Sequence, residues 1–285
     1  MNYEEAYEKL ERYGQLHVLK YYDGLPEEKK AALLGQIEGL DFSILQYCKE
    51  NTTNQKGEIA PLAAMQLPEI EKKKEKYTKI GIEEIRQGKV AAVLLAGGMG
   101  TRLGSDHPKG MYDIGLTRPV YIFQRIIENM LDVVRQAEGW VRLFVMTSDK
   151  NHDMTVEFFE EKKYFGYNSD YVSFFIQDVV PASDYEGKAY MEEPWKISTS
   201  PNGNGGWFSS MNKCGLLDVI KKDGIEWINV FAVDNVLQRI ADPCFVGAVI
   251  DNGCVAGAKV VKKNSPDERV GALCLEDGRP SIVEY

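Results

Sequence analysis

The sequence contains no apolar run approaching the roughly 20 residues that a helix needs to cross a bilayer. Its first residues, MNYEEAYEKLERYG, are polar and acidic, which argues against a secretory signal. Basic residues are also in deficit, because 34 Lys and Arg face 43 Asp and Glu, for a net charge of −9. We therefore expect no membrane partner and no nonspecific binding of nucleic acid, although a local basic pocket can exist in an acidic protein.

Cysteine and histidine are scarce and dispersed. The five cysteines, an odd number, form no C-x-x-C pair, and the three histidines are far apart in the sequence. Neither a disulfide framework nor a zinc site is indicated. We interpret the cysteines as core thiols and expect a cytoplasmic location.

The 285 residues divide into two regions that differ in their hydrophobic pattern. Residues 1–88 are predicted to be a helical N-terminal region, because apolar and aromatic residues recur there with a period of about 3.6 and Pro26 opens a second helix. Asp41 is a candidate N-cap for another helix. The segment EIEKKKEKYTKIGIEEIRQG is expected to be a charged surface helix.

From residue 89 onward, predicted strands alternate with helices. KVAAVLLAGG is a continuous apolar run stopped by glycines, which is typical of a strand buried on both faces. Further strands are predicted at WVRLFVMTS, YVSFFIQ, WINVFAVDN, CVAGAKVV and VGALCL, with FSSMNKCGLLDVIKKDG as a helix among them. We predict an α/β domain over residues 89–285, with a doubly wound, mostly parallel sheet that binds its ligand outside the carboxyl ends of its strands.

The glycine-rich stretch LLAGGMGTRLGSDHPKG falls at such a strand end. It lacks the lysine of a Walker A loop and the last glycine of a dinucleotide-binding loop. Its glycines nevertheless let backbone N–H groups approach anionic oxygens, while Arg102 offers a planar fork for phosphate and Lys109 a mobile point charge. These features favour a nucleoside triphosphate site; the alternative is a tight turn with Arg102 on the surface.

Several segments resemble one enzyme family, in order along the chain. LLAGGMGTRLG is similar to the glycine signature of uridylyltransferases, and PKGMYDIGL resembles the matching segment of eukaryotic-type UDP-N-acetylglucosamine pyrophosphorylases. The resemblance continues through FFEEKKYFGY, SPNGNGG, VFAVDN and VEY, so that it covers about residues 90–285. It implies a nucleotide-diphospho-sugar transferase fold of the GT-A-like, Rossmann-like type.

The activity that the resemblance implies is a Mg²⁺-dependent uridylyltransferase, whose partners UTP and N-acetylglucosamine 1-phosphate yield UDP-N-acetylglucosamine and pyrophosphate. Arg102 and Lys109 match the basic pair over the phosphates, and Asp234 matches a ligand of Mg²⁺, a cation that prefers carboxylate and phosphate oxygens. The remaining matches are Leu95, Gly97, Gly98, Gln177 and Gly203 for uridine, and Asn204, Gly271 and Glu284 for the sugar.

Alternatives stay open for these residues and for the function. Asp234 could cap the segment after its strand, and Gln177 could be a polar strand end that faces water. Neighbouring activities are those of UDP-glucose and UDP-galactose pyrophosphorylases. Because the family continues beyond the block that matches VEY, we expect the domain of residues 89–285 to be incomplete at its C-terminal end. A nucleotide-binding remnant with little turnover is therefore a further alternative.

Overall fold

The computed structural model describes residues 1–46 and 57–284. Its contacts divide the chain into two compact units, a first unit of Met1–Gly57 with Asp178–Gly205 and a second unit of Glu58–Gln177 with Gly206–Tyr285. The predicted domain boundary between residues 88 and 89 falls inside the second unit, and as a statement about domains it stays a prediction. Cys48 and the far end of the helix predicted after Asp41 lie outside the described residues.

The helices and strands follow one another in the order that the alternating pattern predicts for most of the chain. The helices are α1 Tyr3–Arg12, α2 Glu27–Gly39, α3 Leu67–Arg86, α4 Ile122–Ala137, α5 His152–Glu161, α6 Trp207–Lys213, α7 Leu216–Asp223 and α8 Pro243–Asp251. The strands are β1 Ile59–Pro61, β2 Val90–Leu95, β3 Arg142–Thr147, β4 Val172–Ile176, β5 Val179–Pro181, β6 Met191–Glu193, β7 Lys196–Ile197, β8 Thr199–Pro201, β9 Trp227–Ala232, β10 Ala272–Glu276 and β11 Arg279–Val283.

The first unit is built on α1 and α2, with two short antiparallel ladders, β5–β8 and β6–β7. Asn2 caps α1 through a reciprocal pair of hydrogen bonds with Glu5, which satisfies backbone donors at the helix start. At the end of α2, the Lys9 ammonium donates to the carbonyls of Ile37 and Leu40 at 2.8 and 2.9 Å. A cation there also complements the negative end of the helix dipole.

The centre of the second unit is a parallel four-stranded sheet with strand order β4-β3-β2-β9. Alternate residues of β2 face opposite sides: Ala92 and Leu94 belong to a core cluster with α3, α4 and α8, whereas Ala91 and Val93 pack in a cluster that includes α6 and α7. Helices therefore cover both faces, which is why β2 is apolar throughout. The predicted mixed α/β architecture with a parallel sheet is confirmed.

A separate antiparallel sheet, with order β1-β10-β11, also belongs to the second unit. The predicted strand at VGALCL corresponds to β10, but it pairs here and not with the parallel sheet. Parallel pairing thus holds for the central sheet, while the other ladders of the described residues are antiparallel.

The helix α3 is not simply a solvated surface helix, as its charged sequence suggested. Tyr77, Gly81 and Ile85 are buried, and the helix crosses α8 at very short range. A Cβ added to Gly81 would lie 2.0 Å from the carbonyl oxygen of Pro243, and one added to Gly247 would lie 1.9 Å from that of Tyr77. The two glycines therefore let the helix backbones approach where any side chain would clash.

Two predicted elements are wrong. Residues 254–261, CVAGAKVV, form no strand: no described strand pairs with them, and Val255 and Val261 are 96% and 92% exposed. The predicted single helix at FSSMNKCGLLDVIKKDG is two helices, α6 and α7. Gly215 adopts φ 72° between them, in the left-handed region that interrupts an α-helix.

Cysteine burial also differs from the expectation. Cys274 is buried, but Cys214 and Cys254 are exposed, because each follows the end of a helix where the chain meets solvent. Within residues 1–46 and 57–284, no helix combines the length and hydropathy that crossing a membrane requires.

Candidate active site

The order in which strands are added to the parallel sheet reverses between β2 and β9. From β2 the chain proceeds through β3 to β4 on one side, and β9 is then added on the other side of β2. In such sheets the ligand crevice lies outside the carboxyl ends of the two strands at this switch point. Leu95, which ends β2, pairs with Ala232, and its carbonyl accepts from Val233 N–H at 3.1 Å. The glycine loop after β2 and Asp234 after β9 consequently emerge at the same edge.

The segment PKGMYDIG is folded back beneath the glycine loop. Met99 forms a β-bridge with Pro108, and Lys109 N–H donates to the carbonyl of Gly98 at 3.2 Å. Further along, the Asp113 carboxylate accepts backbone hydrogen bonds from Gly115 at 2.8 Å and Val120 at 2.9 Å. These two bonds, chiefly that from Val120, lower the pKa of Asp113. These hydrogen bonds fix the conformation of the segment that carries Lys109.

The Lys109 ammonium meets the Asp234 carboxylate at 2.6 Å. Together they line a cleft of about 440 Å³, whose other lining residues include Arg102, Tyr112 and Ile122. The Arg102 side chain is exposed and has no ion-pair partner among the described residues. Two cations and one carboxylate thus converge beside a glycine-rich backbone, and the cleft can take a polyanion that displaces the carboxylate from Lys109.

Gln177 directly follows the end of β4, but its side chain does not face water. It is 8% exposed, its backbone N–H donates to Thr147 at 2.8 Å, and its side chain lies against Gly97. A Cβ added to Gly97 would be 2.6 Å from the Gln177 amide nitrogen. A side chain at position 97 would therefore displace the Gln177 amide, and the structure brings Gly97 and Gln177 together as a pair.

Sequence reasoning overlooked Ser148 and Asn151, which are buried and donate to carbonyl oxygens of the glycine loop. A signal for them existed. The polar run SDKN directly follows β3, at the carboxyl edge of the same sheet. Polar residues at that edge are where ligand-site residues collect in an open α/β sheet.

The donor set fits a divalent cation only if the ligand supplies most of the oxygens. Among the described residues, no group of three or more His, Cys, Asp and Glu side chains could enclose a metal ion. In the part of the chain that the structure describes, Asp234 is the one carboxylate that lines the cleft, and one of its oxygens contacts Lys109. Mg²⁺ commonly binds through one carboxylate, phosphate oxygens and water, so Asp234 fits that mode.

The predicted sugar residues are split between the units. Gly271 and Glu284 lie together in the second unit, because a Cβ on Gly271 would be 3.3 Å from a Glu284 carboxylate oxygen, and both are exposed. Neither lines the cleft. Gly203 and Asn204 belong to the first unit, where both are exposed.

Comparison with known proteins places this geometry in context. Residues 42–285 match the family model described as UTP–glucose-1-phosphate uridylyltransferase. The chain is 37% identical over 301 residues to UDP-N-acetylglucosamine diphosphorylase 2 of Arabidopsis thaliana, covering 98% of this chain and 60% of that protein. It is 34% identical over 292 residues to the UDP-N-acetylglucosamine pyrophosphorylase of Saccharomyces cerevisiae, covering 95% and 61%.

A solved structure agrees with these relatives. The uridine diphosphate N-acetylglucosamine pyrophosphorylase from Trypanosoma brucei, in complex with an inhibitor, superimposes with a TM-score of 0.85 at 30% identity. The match covers 99% of this chain and 61% of that one. The chain therefore spans about 60% of the length of the relatives it matches. By the extent of the family match, the chain belongs to the UTP–glucose-1-phosphate uridylyltransferase family.

Proposed function

We propose that this chain binds UTP and transfers its uridylyl group to N-acetylglucosamine 1-phosphate. A phosphate oxygen of the sugar phosphate forms a bond to the α-phosphorus of UTP, and the bond from that phosphorus to the bridging oxygen of pyrophosphate breaks. The observation that carries the proposal is the 2.6 Å contact between Lys109 and Asp234, at the switch point beside the glycine loop. The names of the relatives support the N-acetylated sugar.

Lys109 and Arg102 act on the phosphates. The nucleophile is already an anion, so the main barrier is repulsion between negative charges, and positioned cations lower it. Lys109 is held by backbone contacts at Gly98 and lies within the cleft, which suits it to the α-phosphate or the departing pyrophosphate. Arg102 is exposed without an ion-pair partner in the described chain, so its fork is available to phosphate oxygens.

The uridine base is proposed to bind at Leu95, Gly97, Gly98 and Gln177. Backbone N–H groups of glycines can approach a ligand closely, and the Gln177 amide both donates and accepts, as the uracil edge does. The packing of Gln177 against Gly97 supports this proposal because it puts both groups in one place. Gly203 is proposed as a further uridine contact on the resemblance of SPNGNGG alone.

Asp234 is proposed to hold Mg²⁺. The bound cation would supply positive charge that screens the triphosphate oxygens. Because Asp234 also contacts Lys109, the carboxylate keeps the ammonium within the cleft until phosphate oxygens take its place. Asn204, Gly271 and Glu284 are proposed sugar contacts, and the adjacency of Gly271 and Glu284 supports treating these two as one subsite.

Two wider features belong to the proposal. The GT-A-like, Rossmann-like type of the sheet is supported by helices on both faces and by a glycine loop at the switch point. A cytoplasmic location is supported by exposed free thiols at Cys214 and Cys254, which persist most readily in a reducing compartment.

The test is a titration of the chain with UTP by calorimetry, combined with pyrophosphorolysis of UDP-N-acetylglucosamine, UDP-glucose and UDP-galactose. We expect saturable UTP binding, and UTP formation that is fastest from UDP-N-acetylglucosamine, lost with a chelator and restored by Mg²⁺. Asp234→Asn should raise the Mg²⁺ concentration that is needed. Binding without turnover would favour the nucleotide-binding remnant, and a faster reaction of UDP-glucose would reassign the sugar. Absence of binding would contradict the proposal altogether.

A further inference from the structure

Asn151 is an N-cap residue that does not cap its own helix. It lies directly before α5, where an asparagine side chain ordinarily accepts a hydrogen bond from the first turn, yet it makes no such bond. The side chain is 0% exposed and turns toward the glycine loop. Helix α5 therefore starts without a hydrogen bond from the Asn151 side chain, whose amide binds elsewhere.

The Asn151 amide binds two carbonyls of the loop. Its nitrogen donates to the carbonyl of Ala96 at 2.9 Å and to that of Gly98 at 3.3 Å, while its oxygen accepts from Ser148 N–H at 2.8 Å. The Ser148 hydroxyl donates to the intervening carbonyl, that of Gly97, at 2.9 Å. Three successive loop carbonyls are thus held by two neighbouring side chains.

Fixing these carbonyls also orients the N–H groups that follow them. A trans peptide is planar, and its C=O and N–H bonds point in opposite directions. With the carbonyls of Ala96 and Gly97 directed at the amide and hydroxyl, the N–H groups of Gly97 and Gly98 are directed away from them. Among the described residues, no group accepts a hydrogen bond from either N–H.

Glycine makes such external support necessary. A glycine peptide rotates readily because no Cβ restricts it, so an unsupported Gly-Gly pair would lose conformational freedom on binding a ligand. We propose that Asn151, assisted by Ser148, is a positioning residue that presets the Gly97–Gly98 N–H groups for the nucleotide. This inference rests on the proposed function, since it assumes that UTP binds at the loop.

The test compares affinities for UTP and for inorganic triphosphate, measured by calorimetry on the full chain. Asn151→Asp keeps the shape of the side chain but replaces the donor with an acceptor that faces two carbonyls. We expect UTP affinity to fall roughly tenfold to a hundredfold. On this proposal inorganic triphosphate contacts Lys109 and Arg102 and not the Gly97 and Gly98 N–H groups, so its affinity should fall clearly less than that of UTP.

Two further variants test whether the loss of affinity is specific to the glycine loop. Asn129→Asp is the matched control, because Asn129 also donates to a backbone carbonyl, that of Gln238 at 2.9 Å, and accepts from a backbone N–H, that of Ile240 at 3.2 Å, in the second unit but with both partners outside the glycine loop. It should leave both affinities unchanged. Ser148→Ala removes only the bond to Gly97, so we expect a smaller, roughly threefold loss of UTP affinity; it decides the question if Asn151→Asp does not fold.

The outcomes separate the two proposals. If wild-type chain does not bind UTP, the proposed function fails, and the inference with it. If wild-type chain binds UTP, the inference alone is overturned by any of three results: unchanged UTP affinity in the loop variants, equal losses for UTP and inorganic triphosphate, or the same UTP loss in Asn129→Asp. A selective loss of UTP affinity in the loop variants supports it.

Discussion

Two apolar runs of the second unit look alike in sequence and differ in structure. VAAVLL forms β2, which is paired in parallel with β3 and β9 and is almost wholly buried. CVAGAKVV, residues 254–261, contains similar residues but pairs with no described strand and exposes Val255 and Val261. A strand requires neighbours for its N–H and C=O groups, so composition alone predicts only that a segment suits a sheet.

Part of this difference extends to the candidate residues near each run. The loop that leaves β2 is tied down by the backbone of Lys109 and by Ser148 and Asn151, and it places Lys109 in the cleft. Downstream of residues 254–261 lie Gly271 and Glu284, both exposed and outside the cleft. Gly271 and Glu284 directly flank β10 and β11, which pair with each other, so the two groups of candidate residues differ in exposure and not in strand pairing.

The largest effect should come from placing a charge in each run. Val93→Asp puts a carboxylate among the fully buried side chains of β2 and should lower the free energy of unfolding by at least about 4 kcal/mol, or prevent folding. Val261→Asp, at a 92% exposed position, should change it by less than about 0.5 kcal/mol. Urea denaturation measures both. Similar losses would mean that residues 254–261 are buried in solution and that the contrast is not real.

Two lysine–aspartate pairs, one near each apolar run, allow the two runs to be compared by their effect on kcat. Lys109 contacts Asp234 at 2.6 Å, and Lys259, within residues 254–261, contacts Asp242 at 2.7 Å. Lys109→Ala should lower kcat for uridylyl transfer roughly 10²–10³-fold, as expected for a lost charge contact in the transition state. Lys259→Ala should leave kcat within about twofold, because surface ion pairs contribute little. Equal rates for the two variants would remove Lys109 from the mechanism.

Selectivity for the uracil base should depend on the Gln177 amide beside the glycine loop, and not on buried glutamine side chains in general. Gln177→Ala should reduce the ratio of UTP to CTP affinity roughly tenfold, since the packed amide beside Gly97 is then lost. Gln15→Ala removes another buried glutamine, which is 1% exposed in the first unit, and should alter stability without altering that ratio. Competition binding with the two nucleotides distinguishes them, and an unchanged ratio in Gln177→Ala would exclude it from base recognition.

The smallest effect concerns two buried threonines close to β3. The Thr155 hydroxyl is buried and has no hydrogen-bond partner in residues 1–46 and 57–284, whereas Thr147 donates to the carbonyl of Phe175 at 3.0 Å. Thr155→Val should raise the free energy of unfolding by up to about 1 kcal/mol, and Thr147→Val should lower it by about 1–2 kcal/mol. Thermal unfolding gives the sign of each change. A destabilised Thr155→Val would show that its hydroxyl has a partner in solution.

Much of the central architecture was predictable because it is encoded locally. The continuous apolar run of β2 and the helical period of α4 each specify a type of element over a few residues, and both are present. The break at Gly215, the close crossing at Gly81 and Gly247, and the placement of β10 in an antiparallel sheet were not predictable in this way. Each depends on which distant segment is the neighbour.

The candidate site shows the same division. Arg102 and Lys109 were predicted from glycine and charge spacing, and both line the cleft, while their role in binding phosphate stays a prediction. Asn151 was missed because the carbonyls that its amide reaches lie 55 and 53 residues away in the sequence, and only the fold brings them together. The metal role of Asp234 and the sugar roles of Asn204, Gly271 and Glu284 stay predictions.

The sequence by itself determined the family, the type of element formed by each strongly periodic segment, and the presence of a glycine loop followed by two cations. Those properties reside in neighbouring residues, whose backbone preferences and spacing act over a few bonds. The tertiary structure alone decided that Lys109 meets Asp234, 125 residues further along the chain, and which apolar run becomes a paired strand. Such contacts exist only once packing has brought distant segments together, because each needs a partner that the local sequence does not contain.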